Sequence, residues 1–470
     1  MQKSEQLQTP SWRSESWQTF LLAGPLALAN LLQMATYTVD TIFIARLGEE
    51  EFAASQLIMG LFGLVVWALS SLTAAVAPVI SAELGANPNT VRPVRRATRM
   101  ALWLAVISGL GGIVISFAAI PIMHLTGQEP HLMPLAFPYL VMLVVSLIPM
   151  VISNVLRTYL SALGRPIFAT LITFAGIFIN AAGNYALIFG NWGAPRLELV
   201  GAGIATIITT TSIMLAYVVA IRLDPRLRRY RIFGRWWRPD WARFWEIVRV
   251  GAPIAFTVIA EAGIFSAAVF MMGNFGTAQV AGHAIALQIA ALAFQIPFGV
   301  GQAVTIRVGY YYGAQNREGI RRAGLTAIVM GFAFACISAI AMFGAPEALM
   351  WPWVDPQDAA NAAVVAFALT YLVWAAAFQI VDGLQAVALG ALRGLQDTRI
   401  PMWIAIFSYW VPGFGIAFVL GFFTPLEGVG VWIGLAAGLA SAAILLMGRW
   451  IRRERLGLLL RQTKPILEKI

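Results

Sequence analysis

The sequence predicts an all-α integral membrane protein: twelve transmembrane helices in two pseudo-symmetric six-helix lobes, related as parallel repeats around a central cavity. Three observations carry this reading. The 470 residues are 59% hydrophobic and only 11% charged, far below the roughly 25% charged residues of an ordinary soluble domain. Eight runs lack Asp, Glu, Lys and Arg and are each long enough for a helix of about 20 apolar residues: 52–82, 100–128, 130–156, 167–195, 199–221, 323–346, 400–426 and 428–448. Three further runs, 16–45, 250–306 and 359–392, are each interrupted by one acid, Asp40, Glu261 and Asp382. The run 250–306 holds two spans with a break at Gly273 to Gly282, which makes twelve.

Charge placement tests that count, because Lys and Arg favour cytoplasmic loops. With twelve spans, 30 of the 32 basic residues fall on the side of the N-terminus, and only Arg46 and Arg196 fall on the other. Both ends are therefore expected in the cytoplasm of a bacterial-type inner membrane. The net charge of +10 is accounted for by orientation and by attraction to anionic lipid headgroups, so no nucleic-acid partner is expected.

The elements follow in order. Residues 1–15 read as a polar cytoplasmic tail and 16–221 as the first lobe. Its leading helix is too long for a signal-peptide core and reads as retained. Residues 222–248, in which Arg and Trp interleave, read as an amphipathic linker at the headgroup layer. Residues 249–448 form the second lobe, and 449–470 a basic tail. At an offset of 228, Pro25 matches Pro253, Gly48 matches Gly276, and Gly85-Ala86 matches Gly313-Ala314. Six helices per half give the copies the same orientation, with their axis along the membrane normal. The single Cys336 permits no intrachain disulfide.

The three lone acids point to a pathway. A carboxylate near the bilayer centre costs about 2.5–3.5 kcal/mol on lenient insertion scales, so such residues line cavities that carry ions, protons or substrate. On the first helix Gln33, Tyr37 and Asp40 share a face, with Asn30 and Thr36 beside it. On the fifth, Asn180 and Asn184 stand one turn apart. The two polar stripes are expected to meet inside the first lobe. In the second lobe, Asp382 has Gln379 and Gln385 at i−3 and i+3. Together with Glu261 they suggest an oxygen cage for a monovalent cation such as sodium, aided by carbonyls that Gly263 and Pro297 release from loosened helices. Burial favours the neutral form of a carboxyl and a nearby cation favours the charged one, so each acid can exchange a proton or metal ion against a cationic substrate. Phe265, Phe294, Met271 and Met272 are candidates for an adaptable substrate wall. His283 is expected to pack at the outer end of the eighth helix.

Rival classes leave weaker traces. No phosphate-cradling loop ends in Gly-Lys-Ser/Thr, since the only lysines are Lys3, Lys464 and Lys469. His124, His131 and His283 have no metal-ligand spacing, so an enzyme is not expected. A flippase for lipid-linked sugars is the nearest alternative. Its cavity would need several basic residues, whereas no Lys or Arg is expected within the spans.

Four segments, TVDTIFIARLG, ELGANPNTVRPVRRA, APIAFTVIAEAGIF and VDGLQAVALGALRGLQDTRIP, resemble the multidrug and toxic compound extrusion (MATE) family, NorM-like branch. The resemblance covers about residues 16–448. It implies a cation-coupled antiporter, using sodium ions or protons and no other cofactor, that exports small, chemically varied and often cationic organic compounds by alternating access. It further implies a monomer, a cation site at Glu261 and Asp382, and an acid at Asp40 close to Asn180 and Asn184.

Overall fold

The computed structural model of the chain describes residues 11–125, 130–234 and 236–459. The outer parts of both expected tails, with all three lysines, lie outside the described residues. Among the described residues, twelve helices are long and apolar enough to cross a membrane. The first half contains α1 (Trp12–Ala45), α2 (Glu49–Ala86), α3 (Arg92–Leu125), α4 (Met133–Ala162), α5 (Ile167–Phe189) and α6 (Glu198–Leu223). The second contains α7 (Trp241–Met272), α8 (Thr277–Gly313), α9 (Arg317–Gly344), α10 (Ala359–Gly394), α11 (Arg399–Phe422) and α12 (Gly428–Ile451).

Helix ends follow local chemistry. Ser11 accepts from the Ser14 amide at 3.1 Å to cap α1, and Asn316 accepts from Gly319 at 2.8 Å to cap α9. Such caps satisfy donors that the first helical turn leaves free. The break between α7 and α8 is shorter than expected. It occupies Gly273 to Gly276, with Gly276 at φ +107°, and Gly282 lies inside α8 against Phe367 and Ala368. Helix α2 is interrupted at Ala75, where Pro78 removes a backbone donor one turn on. Between α6 and α7 the chain forms a short helix, Pro225–Arg228, and then turns. That stretch is held to the first half: Arg99 donates to the carbonyls of Ile232 (3.0 Å) and Arg231 (3.2 Å), and Trp103 donates to that of Trp236 (3.1 Å).

Two hydrophobic cores form, one per half, but the first helix of each half serves both. Ala23 and Leu26 of α1 pack into the second core while Ile44 packs into the first. Conversely, Phe244, Ile247, Val250 and Ile254 of α7 pack into the first core while Ala260 and Ile264 pack into the second. Leu26 and Ile254 are equivalent at the offset of 228, so the exchange is symmetric.

The halves meet most closely at the face where α1 begins. A Cβ on Gly85 would overlap the carbonyl oxygen of Tyr310, and one on Gly313 would overlap that of Ala82. These are also equivalent contacts, and only glycine lets the backbones of α2 and α8 approach so far. Two ion pairs flank them. Buried Glu15 accepts from Arg307 Nε at 2.9 Å, from its Nη2, and from the Tyr311 hydroxyl at 2.7 Å. Across the seam, Arg243 pairs with Glu83, and along its own helix it also meets Glu246 at 2.8 Å. The offset relates Glu15 to Arg243 and Glu83 to Tyr311, so charge is reversed at one equivalent position.

Candidate functional site

Inside the first half, the polar face of α1 meets that of α5. Asp40 Oδ1 accepts from Asn180 Nδ2 at 2.8 Å and from Asn184 Nδ2 at 2.6 Å, and Asn184 also donates to Asn180 Oδ1 at 3.2 Å. Both asparagines are buried. The i, i+4 spacing on α5 aims two amide groups at one carboxylate oxygen, so this acid is tied down by neutral donors. Tyr37 lies beside Asp40 and Gln33. Thr36 turns away and donates to its own helix at Leu32 (3.1 Å).

The same compartment contains Arg157, which corrects the expectation of spans free of basic residues. A charge-free run ends at its first charge, but α4 continues to Ala162. Arg157 therefore sits on the helix proper, bonded to Asn30 Oδ1 and Asn154 Oδ1, each at 3.2 Å. Arg393 on α10 and Arg307 on α8 are carried inside their helices in the same way.

In the second half, Asp382, Gln379 and Gln385 share the buried face of α10, with Asp382 4% exposed. Glu261 on α7 faces Asp382, Gln385 and Arg393. Gln385 Nε2 donates to the Tyr409 hydroxyl. Tyr409 opens a π-helical turn, Tyr409–Phe414, in α11, where Pro412 lacks the donor that a regular helix needs. The loosened helix of this site is thus α11. Helices α7 and α8 run unbroken through Gly263 and Pro297, contrary to the expectation drawn from those residues. The side chains leave an uneven account of hydrogen bonds: Asp382 Oδ1, Gln385 Oε1, and both polar atoms of Gln379 are buried without partners. Three of these four atoms are oxygens, which suits a cation that takes carboxylate and amide oxygen.

The remaining candidates are scattered. Phe265 packs edge-on against Phe378 at 6.0 Å between ring centres, and Phe294 stacks on Phe298 at 5.8 Å. Met271 and Met272 are buried in the second core. His283, two turns into α8, is buried edge-on to Trp432 at 5.5 Å, with both ring nitrogens unpartnered. Two polar residues of the sites escaped sequence reasoning. Tyr409 was signalled only by the Pro412-Gly413 pair, and Arg157 only by its distance from any turn residue before Gly164.

Twelve apolar helices, two repeats and buried acids in each half define a multi-pass membrane transporter. Comparison with known proteins gives the family. The MatE family model matches residues 25–186 and 253–419, one segment in each half. The chain is 41% identical over 445 residues to a "Probable multidrug resistance protein NorM" of Mesorhizobium japonicum, covering 95% of both chains. It is 40% identical over 441 residues to a protein of the same description from Brucella suis, covering 94% of both. Among solved structures, the eukaryotic MATE transporter AtDTX14 superposes with a TM-score of 0.84 at 18% identity, covering 95% of this chain and 100% of that one. The chain belongs to the MatE family and is a transporter, not an enzyme.

Proposed function

We propose that the chain exports small organic compounds, many of them cationic, in exchange for sodium ions or protons entering the cell. The observation that carries this reading is the set of unpartnered buried oxygens on Asp382, Gln379 and Gln385, beside the second carboxylate of Glu261. Buried polar atoms cost free energy unless a partner satisfies them, and a cation or proton supplies that partner when it binds. Ion and drug then compete through the same carboxylates: a loaded ion favours release of the drug, and an arriving organic cation favours release of the ion. Exchange follows if the sites open alternately to each side, because ligands with unequal affinity for two conformations shift their populations.

In this reading the face where α1 begins is cytoplasmic, supported by the distribution of arginines, and the tight packing there closes the inner end of the pathway. The membrane is the inner membrane, and the unit is a monomer. The names of the NorM relatives support drugs as the cargo. A lipid-linked sugar flippase fits less well, since Arg157 and Arg393 stand in different halves and make no joint cradle for a pyrophosphate.

Efflux from proteoliposomes, with sodium and pH gradients imposed separately, tests this proposal. One gradient is expected to drive efflux of an organic cation. Asp382→Asn and Glu261→Gln, which keep shape and remove the charge, are expected to uncouple it at unchanged membrane insertion. Full gradient-driven efflux in both variants would remove the coupling role.

A further inference from the structure

We propose that Arg157 and Asn30 form a subsite for a carboxylate or similar oxyanion group of the exported compound, at the opposite end of the first-half compartment from Asp40. The proposal rests on the export reading above and deepens it by assigning the anionic group of an exported compound to named residues of this chain.

A half-buried arginine within a membrane helix normally faces a carboxylate, because an unpaired charge away from water is costly. Arg393 lies within electrostatic reach of the Glu261 carboxylate, though the two form no direct ion pair. Arg307 follows that rule with Glu15. Arg157 does not: among the described residues its hydrogen bonds go to two amide oxygens, those of Asn30 and Asn154, and it makes no ion pair. These amides orient the guanidinium without neutralising it. Asn154 is itself fixed, donating to the Ser70 carbonyl at 2.7 Å and to Thr73 Oγ1 at 3.1 Å.

Asn30 adds an independent observation. It is 6% exposed, and its Nδ2 has no partner even though its Oδ1 accepts from Arg157. The spare groups at this point are thus donors: the remaining guanidinium N–H groups and an amide NH₂. Tyr37 and Tyr217 stand nearby with hydroxyl groups. A carboxylate, which only accepts and can take a bidentate arginine, answers that set. Asp40 cannot take the role in this conformation, since Asn180 and Asn184 hold it. It lies ten residues further along α1, about 15 Å away at 1.5 Å per residue. The polar side of α1 therefore runs from Asn30, bonded to Arg157 of α4, to Asp40, a positive end and a negative end of one polar strip.

The test uses tetramethylrhodamine, which carries a free carboxylate, and its methyl ester, which does not. Binding to purified protein by fluorescence anisotropy and efflux from proteoliposomes are both measured. Arg157→Gln is expected to weaken binding of the free acid about tenfold or more, in line with loss of a charge-assisted hydrogen bond, and to leave the ester within about twofold. Asn30→Asp retains the arginine but gives it an internal carboxylate, and should produce the same selective loss even if Arg157→Gln misfolds. Equal weakening of acid and ester in Asn30→Asp, or no weakening of either, would overturn the subsite. If wild-type protein binds the acid selectively but moves neither dye, the subsite stands and the export reading fails.

Discussion

The two halves treat their buried acids in opposite ways. In the first, Asp40 is satisfied by two asparagine donors on a single neighbouring helix, and a separate arginine stands deeper in the compartment. In the second, Asp382 and its flanking glutamines keep unused oxygen atoms, and the arginine faces the acid Glu261. A duplicated fold has thus become one half in which amide donors hold an oxygen of Asp40 and one half in which an oxygen of Asp382 is left without a donor. On the export reading an incoming cation is expected to gain most at Asp382 and its flanking glutamines, so the two acids should fail differently when altered.

The largest contrast is expected in transport. Asp382→Asn should reduce gradient-driven efflux by at least about tenfold, while Asn180→Ala, which removes one of two donors to Asp40, should reduce it less. Equal losses would erase the distinction between the halves. Ligand-linked stability sharpens it next: if sodium is the coupling ion, sodium at a hundredfold excess over Kd should add about 2.7 kcal/mol of stability to wild-type protein and so raise its melting temperature. That shift should vanish in Asp382→Asn and persist in Asp40→Asn. Without added ion the order reverses. Asp40→Asn loses charged acceptance from two donors and should destabilise the fold by about 2 kcal/mol, whereas Asp382→Asn alters a buried side chain whose Oδ1 has no hydrogen-bond partner and should be neutral or stabilising in a thermal melt. The smallest effect belongs to the neighbours: Asn180→Ala should cost about 1 kcal/mol, and Gln379→Ala, whose polar atoms have no partners, should cost less than that.

Much of the architecture was legible because lipid imposes a length and a composition on each span, and the positive-inside bias checks the alternation. The polar stripes on α1 and α5 were legible for a related reason: Asp40, Tyr37 and Gln33, like Asn180 and Asn184, repeat at the helical period. Arg157 was hidden because a rule based on uncharged runs assigns every arginine to a loop, while a helix extends past its apolar stretch by a turn or more. The loosened helix was misplaced because Gly263 and Pro297 are tolerated inside packed membrane helices; only Pro412 in α11 opens a π turn. The ion pairs at the seam join residues more than 150 positions apart, such as Glu83 with Arg243. Repeat matching by identity cannot find them, because Glu15 and its equivalent Arg243 carry opposite charges.

That reversal also governs how the halves recognise each other. At the glycine seam the first half contributes Glu15 and Glu83, and the second contributes Arg243 and Arg307. Two copies of either half would bring like charges together at the point of closest backbone approach, whereas one of each brings opposite charges. If the gene were cut between Leu223 and Trp241 and the fragments made together, attraction should assemble mixed pairs and repulsion should reject self-pairs. Opposite charge at the closest contact thus makes each half a partner for the other rather than for its own copy.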